Sequence, residues 1–248
     1  MMNEPIELPA PYREALAEAL AFVRERWQPL GIIAAGSVLR GEGGPTSDID
    51  LYVIHGEAWR QRSQRRFAGV PFEIFVNPPG QIRRYFAEEH AAARPITAHM
   101  LVNGRLVQED GAGIVAGLRN EAAVWLHKPP EPDPARLRWT RYLLVDLLDN
   151  ARDMAAADPL VARLLLNQVV QGLIDYRFVA GGRFLPRVKA QRVELAALDP
   201  ACALLLEQFL RTAGDDPAAL GLGEALAQQV LGVTGFFAWE SEPDAVAV

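Results

Sequence analysis

Apolar positions in the first half of the chain predict an α/β arrangement. Leu16, Leu20 and Val23 recur at helical spacing and predict a helix over about residues 12–27. Apolar runs at residues 31–35, 51–54 and 72–76 predict three strands, each bounded by glycine, proline or polar residues. Further helices are predicted over residues 81–93 and 114–126, and the polar stretch 57–67 is compatible with another helix.

The second half of the chain shows only helical patterns. Apolar stripes cover residues 137–151 and 160–173, and shorter stripes cover 201–210 and 220–230. Four prolines between residues 129 and 134 stop regular structure and stiffen the chain, so a domain boundary is predicted there. We therefore expect an α/β domain with a small mixed sheet over residues 1–127. A proline-rich linker over 128–135 and an all-α helical bundle over 136–248 should follow it.

Composition and charge narrow the class of protein. The 248 residues are 50% hydrophobic, which is enough material for two modest cores, and the net charge is −6. Because an acidic chain has no excess positive charge to neutralise a phosphate backbone, nucleic acid is not expected as a partner. The only cysteine, Cys202, excludes an intrachain disulfide. Residues 1–5 lack signal-peptide character and no apolar run approaches the ~20 residues of a membrane span, so a cytoplasmic protein is expected.

The most informative segment is a glycine- and serine-containing turn that leads into two aspartates. Asp48 and Asp50 lie at the start of a predicted strand, and because strand side chains alternate, both carboxylates point to the same side. No basic neighbour in the sequence offsets their repulsion, whereas a divalent cation such as Mg²⁺ would. Gly36 permits close backbone approach, and Ser37 supplies donors at an expected helix start, so both suit a bound phosphate.

A third carboxylate, Glu73, interrupts the otherwise apolar strand over residues 72–76. Burying it without a metal or a partner would be costly. If this strand lies beside the strand that carries Asp50, three carboxylates converge. Such a set can hold two magnesium ions roughly 3.5–4 Å apart, which stabilise the attacking and leaving oxygens of an in-line displacement at phosphorus.

The turn also carries a recognisable pattern. Residues 36–53 match GSxxRGxxxxxSDIDLxV without an insertion. This segment resembles the nucleotidyltransferase superfamily that includes DNA polymerase β, and in particular its small bacterial members, over roughly residues 10–126. The resemblance implies that three carboxylates bind the metal ions and carry catalysis: Asp48, Asp50 and Glu73. It implies that four residues of the turn bind the nucleotide: Gly36, Ser37, Arg40 and Ser47.

The resemblance further implies a reaction. A nucleoside monophosphate is transferred to an acceptor hydroxyl with release of pyrophosphate. The resemblance to the family implies that ATP is the donor and AMP the transferred group. The helical second half is similar to the acceptor-side domain of kanamycin nucleotidyltransferase-like proteins, so a small-molecule acceptor is expected, an aminoglycoside or a lincosamide being one option. The general base lies either on the helix after the third strand or on the first bundle helix. The candidates are Glu88, Glu89, Asp146, Asp149 and Asp153.

Other interpretations stay open at this point. The chain could modify a protein or an RNA terminus, as antitoxin-like relatives do, or act as a catalytically silent nucleotide-binding module. Retention of all three carboxylates disfavours the silent module. A run of arginines near the predicted site either meets phosphates or a nucleic-acid acceptor, or forms a solvated helix face: Arg60, Arg62, Arg65 and Arg66. A homodimer is also left open.

Overall fold

The computed structural model describes residues 8–44, 46–109, 111–212, 214, 216–241 and 243. Residues 1–5, where no signal peptide is expected, and Pro45 of the turn lie outside the described residues. Contacts between Cα atoms divide the chain into two units, Met1–Lys128 and Pro129–Val248. Separate clusters of buried apolar side chains lie within each unit.

The described residues of the first unit contain five strands, which are β1 Gly31–Ala35, β2 Ile49–Ile54, β3 Gln61–Phe67, β4 Val70–Asn77 and β5 Arg105–Glu109. They form one sheet in the order β3-β4-β2-β1-β5. Strands β2 and β4 run parallel, and every other neighbouring pair is antiparallel. The parallel register sets Asp50 directly beside Glu73.

Helices cover both faces of this sheet. They are α1 Ala10–Trp27, α2 Pro79–Ala91, α3 Ile96–Asn103 and α4 Ile114–His127. Helix α1 packs on one face, which includes Leu51 and Val53, whereas α2, α3 and α4 pack on the other, which includes Tyr52. Because side chains alternate along β2, Asp50 lies on the same face as Tyr52.

The predicted helix over residues 57–67 is wrong. Residues 61–67 form β3, which pairs with β4 through a tight turn at Ala68 and Gly69. These residues have φ values of 43° and 82°, and positive φ at both positions suits the two-residue turns that match the twist of a hairpin. Strand β3 is the sheet edge and exposes most of its side chains, so it lacks the apolar alternation that marks a strand in a sequence.

The described residues of the second unit contain helices and no strands. The helices are α5 Pro134–Ala157, α6 Pro159–Ala180, α7 Val188–Leu198, α8 Pro200–Leu210 and α9 Asp216–Leu231. Three of them begin at an Asp-Pro pair, in which the aspartate side chain accepts an amide hydrogen bond and proline takes the first turn. The first of these pairs starts α5 at Pro134, inside the predicted linker.

The helices of the second unit enclose a core of their own, in which Leu148, Val169, Leu173 and Leu226 are fully buried. The predicted fold class is therefore confirmed: a small mixed sheet with flanking helices is followed by a helix-rich region. Among the described residues, none of the helices has a stretch both long and apolar enough to cross a membrane.

Candidate active site

Three carboxylates meet on the face of the sheet that carries Tyr52. Asp48 directly precedes β2, Asp50 is the second residue of β2, and Glu73 is its neighbour on β4. One carboxylate oxygen from each residue lies within 4.8 Å of the other two, and Asp48 is the most exposed of the three. The structure therefore brings together the three carboxylates that the sequence singles out.

This arrangement fits a divalent cation. Like charges at such separations repel one another, and the repulsion falls when a cation binds between them. A donor set made only of carboxylate oxygens suits a hard ion such as Mg²⁺. A metal held there would polarise phosphoryl oxygens and acidify a nearby hydroxyl group.

The turn before Asp48 is folded tightly against the carboxylates. Gly36 has a φ of +113°, and a Cβ at this position would lie 3.1 Å from the Asp48 carbonyl oxygen and 3.5 Å from Asp50 Oδ2. Both the conformation and the close approach therefore require glycine. The following residues form a three-residue 3-10 turn, Val38–Arg40, and not the helix start expected from the sequence.

Side-chain hydrogen bonds close this turn. The hydroxyl groups of Ser37 and Ser47 are 3.0 Å apart, and the Gly44 amide donates to Ser47 Oγ at 2.8 Å. Arg40 donates to the Gly36 carbonyl oxygen at 3.2 Å and forms a 2.9 Å ion pair with Glu42. Arg40 and Ser47 thus hold the shape of the turn that keeps Gly36 against the carboxylates.

Two residues on the edge strand contact Glu73, and the sequence predicted this contact for neither of them. Arg62 Nε donates to Glu73 Oε1 at 2.6 Å, and Gln64 Nε2 donates to the same oxygen at 3.3 Å. The Arg62 guanidinium also lies 4.8 Å from the centre of the Phe75 ring. These contacts fix the side chain of Glu73, which is only 13% exposed. If the segment is treated as a strand, residues 62, 64 and 66 lie on one face of it. Only on that interpretation does the sequence indicate that Arg62 and Gln64 can contact Glu73.

The candidate bases on α2 differ in their surroundings. Glu89 accepts hydrogen bonds from the Thr97 amide at 2.6 Å and the Thr97 hydroxyl at 2.8 Å, so it caps the start of α3. Burial raises the pKa of Glu89 above its usual value, although the Thr97 hydrogen bonds act to lower it. Glu88 is exposed. Glu89 is therefore engaged in hydrogen bonds with Thr97, whereas Glu88 faces solvent.

The candidate bases on α5 also divide into paired and exposed groups. Asp149 forms an ion pair with Arg152, which in turn binds Glu224 at 2.6 Å. Asp146 is exposed and accepts one hydrogen bond from Asn150 at 3.3 Å. Asp149 thus belongs to an ion-pair network within the second unit.

Residues 16–90 match the family model of the nucleotidyltransferase domain. The matched region contains the turn, all three carboxylates and the strand pairing that joins them. The first unit therefore contains a nucleotidyltransferase domain of the polymerase β-like superfamily, as the resemblance in the sequence implies.

Among solved structures, the chain is similar to a nucleotidyltransferase-like protein from Exiguobacterium sibiricum 255-15. The TM-score is 0.52 and the identity 13%, and the similarity covers 90% of this chain and 75% of the other. At this level of identity it shows a shared fold alone. No curated protein matches the sequence.

Proposed function

We propose that the protein is a metal-dependent enzyme that transfers a nucleoside monophosphate from a nucleoside triphosphate to an acceptor hydroxyl and releases pyrophosphate. The observation that carries this proposal is the convergence of Asp48, Asp50 and Glu73 within 4.8 Å, in a domain that matches the nucleotidyltransferase family. Arg62 pairs with Glu73, one of the three carboxylates, and a cation bound among all three would reduce their mutual repulsion further, which supports a metal-binding role.

Each part of the site has a role in this proposal. The three carboxylates would hold Mg²⁺, two ions by our proposal, and such ions would supply stabilisation of charge on the phosphoryl group and the departing pyrophosphate. The backbone of Gly36, which lies close against Asp48 and Asp50 because it has no Cβ, and the hydroxyl and amide of Ser37 orient the triphosphate. Arg40 and Ser47 act with them by keeping the turn closed. The assignment of ATP as donor rests on family resemblance.

The remaining parts of the proposal concern the acceptor and the location. The acceptor is a hydroxyl compound, and the helical second unit is assigned to the acceptor side by similarity to other two-domain members of the superfamily. The reaction is placed in the cytoplasm, where Mg²⁺-bound nucleoside triphosphates are available. The candidates for the general base are the exposed carboxylates Glu88 and Asp146 and, near them in sequence, Glu89 and Asp149.

A transfer assay tests this function. The protein is incubated with Mg²⁺ and each of the four nucleoside triphosphates, labelled at the α-phosphate, together with a panel of hydroxyl compounds. Labelled product and pyrophosphate are measured. Asp50→Asn should reduce transfer about 100-fold or more, because a group that acts on transition-state charge is lost. Glu14→Gln, an exposed change on α1, is the matched control.

Two results would count against the proposal. Unchanged transfer in Asp50→Asn would contradict the metal assignment. Failure of every triphosphate to raise the melting temperature in the presence of Mg²⁺ or Mn²⁺ would contradict binding itself, because a ligand that binds only the folded state must stabilise it.

A further inference from the structure

One line of residues crosses four strands at the level of the carboxylates. The register places Gln64 of β3 beside Glu73 of β4, Glu73 beside Asp50 of β2, and Asp50 beside Ala35 of β1. Gly36 follows Ala35 directly. The carboxylates therefore lie between the Gly36 turn on the β1 side and the edge strand β3 on the other side.

The β3 side carries a row of positive charge. Because strand side chains alternate, Arg62 and Arg66 lie on the same face of the sheet as Glu73, and the contact between Arg62 and Glu73 agrees with this. Arg60 extends the row, since it reaches the Tyr85 hydroxyl of α2 on that face. We name Arg60, Arg62 and Arg66 the arginine row, which spans about 20 Å of extended chain.

Each member of the arginine row contacts a neighbouring group and still has N–H donors that this contact does not use. Arg60 binds Tyr85, Arg66 donates to the Gly69 carbonyl oxygen at 2.9 Å, and Arg62 remains 66% exposed beside Glu73. In the part of the chain that the structure describes, neither Arg60 nor Arg66 has a carboxylate partner. A guanidinium carries five N–H donors, so one contact leaves others for an anion. Anchoring also reduces the side-chain entropy lost on binding.

Resting on the proposed function, we infer that the acceptor is a phosphate-bearing hydroxyl compound and that the arginine row binds it. In-line displacement requires the attacking oxygen to lie opposite the leaving pyrophosphate. With the triphosphate against the Gly36 turn, the hydroxyl group arrives from the β3 side, where it meets the arginine row. A phosphate on the acceptor is attracted there, whereas a cationic aminoglycoside is repelled.

The step balances without a further reactant. The acceptor oxygen forms a bond to the α-phosphorus, and the bond from that phosphorus to the bridging oxygen breaks. Pyrophosphate leaves with the electron pair, and the hydroxyl proton passes to a carboxylate base. Small sugar phosphates, mononucleotides and the terminus of an RNA all present the same phosphate and hydroxyl chemistry.

Matched acceptor pairs test the inference. Transfer is measured to glycerol and glycerol 3-phosphate, ribose and ribose 5-phosphate, adenosine and AMP, a short oligoribonucleotide, and kanamycin as the cationic member. The test variant is Arg60→Gln/Arg66→Gln, because neither residue touches the three carboxylates. The control is Arg65→Gln, which lies on the opposite face of the same strand over Phe22.

The wild-type protein should show a kcat/KM at least ~10-fold higher for phosphorylated acceptors than for their unphosphorylated partners. The double variant should lose most of this preference through a higher acceptor KM, with the KM for the triphosphate unchanged, and Arg65→Gln should retain it. Transfer to the small phosphorylated compounds or to the oligoribonucleotide identifies the source of the phosphate.

Faster transfer to kanamycin or to unphosphorylated partners would overturn the inference and leave the proposed transfer standing. A phosphate preference that survives in the double variant would also overturn it. Absence of metal-dependent triphosphate binding is a separate result, which counts against the proposed function and not against the arginine row alone.

Discussion

Both units contain ion pairs, such as Arg62 with Glu73 and Arg83 with Glu121 in the first, but the units differ in whether like charges also gather. In the second unit, opposite charges pair between helices and between helices and caps: Arg152 with Glu224, Arg163 with Asp216, and Arg177 with Asp199. In the first unit, three carboxylates gather within 4.8 Å. Opposite charges that pair favour the folded state, whereas like charges that gather oppose it. The contrast agrees with the proposal that the first unit carries the chemistry, whereas these ion pairs of the second unit stabilise its fold.

The largest effect is expected from Asp48→Asn in the first unit. Transfer should fall about 100-fold or more, because one of the three carboxylates proposed to hold the metal loses its charge. The melting temperature in EDTA should stay the same or rise, because a repulsion disappears. Transfer rates and thermal unfolding of the same preparation check both parts. A clear fall in the melting temperature of Asp48→Asn in EDTA would contradict the difference drawn between the two units.

An intermediate effect is expected from Arg177→Gln in the second unit. The ion pair with Asp199 spans 2.8 Å, and the Asp199 side chain is only 11% exposed. Removing the charged partner should lower the free energy of unfolding by about 1–3 kcal/mol at neutral pH. Denaturant titration measures the change. Arg211→Gln, which breaks the more exposed pair with Glu207, is the control and should cost less than about 0.5 kcal/mol.

The difference in stability between the wild type and Arg177→Gln should also depend on pH. Burial acts to raise the pKa of Asp199, but hydrogen bonds from Arg177 and the Cys202 amide outweigh it and hold the pKa below its ordinary value of 3.8. A carboxyl with a lowered pKa adds stability above its unfolded value, and that stability is lost as the pH falls through the folded value. The difference between wild type and Arg177→Gln should therefore shrink below about pH 3.8. A constant difference would contradict the assignment.

The smallest effect is expected from Glu89→Gln. Because burial raises the pKa of Glu89 above 4.5, the folded state holds this proton more tightly than the unfolded state. Its contribution to stability is greatest below the ordinary value and is lost as the pH rises through the folded value. The variant should therefore gain stability relative to wild type as the pH rises, as measured by denaturant titration at several pH values.

The carboxylate site could be predicted because its signal is local. Asp50 and Glu73 each interrupt an apolar strand, and the glycine-serine turn precedes the first of them, so the residue pattern alone marks them. Their convergence depends only on β2 and β4 lying side by side in the sheet.

The remaining features depend on contacts between distant residues. Strand β3 lies at the sheet edge, and most of its residues on both faces are polar. Its conformation depends on backbone pairing with β4, and backbone pairing produces no pattern of side chains in the sequence. Its misassignment as a helix hid the contact of Arg62 with Glu73 and the arginine row. The Arg163–Asp216 and Arg177–Asp199 pairs likewise follow from the way residues far apart in sequence pack together, which periodicity does not reveal.

If the proposed function holds, Asp48, Asp50 and Glu73 bind divalent ions together with a triphosphate. The most direct measurement is titration of Mn²⁺ against the protein in the presence of a non-hydrolysable triphosphate, with free Mn²⁺ read by electron paramagnetic resonance. Two ions should bind per chain in the wild type and in Glu14→Gln, and Asp50→Asn should lose at least one of them. Equal binding by the wild type and Asp50→Asn would contradict it.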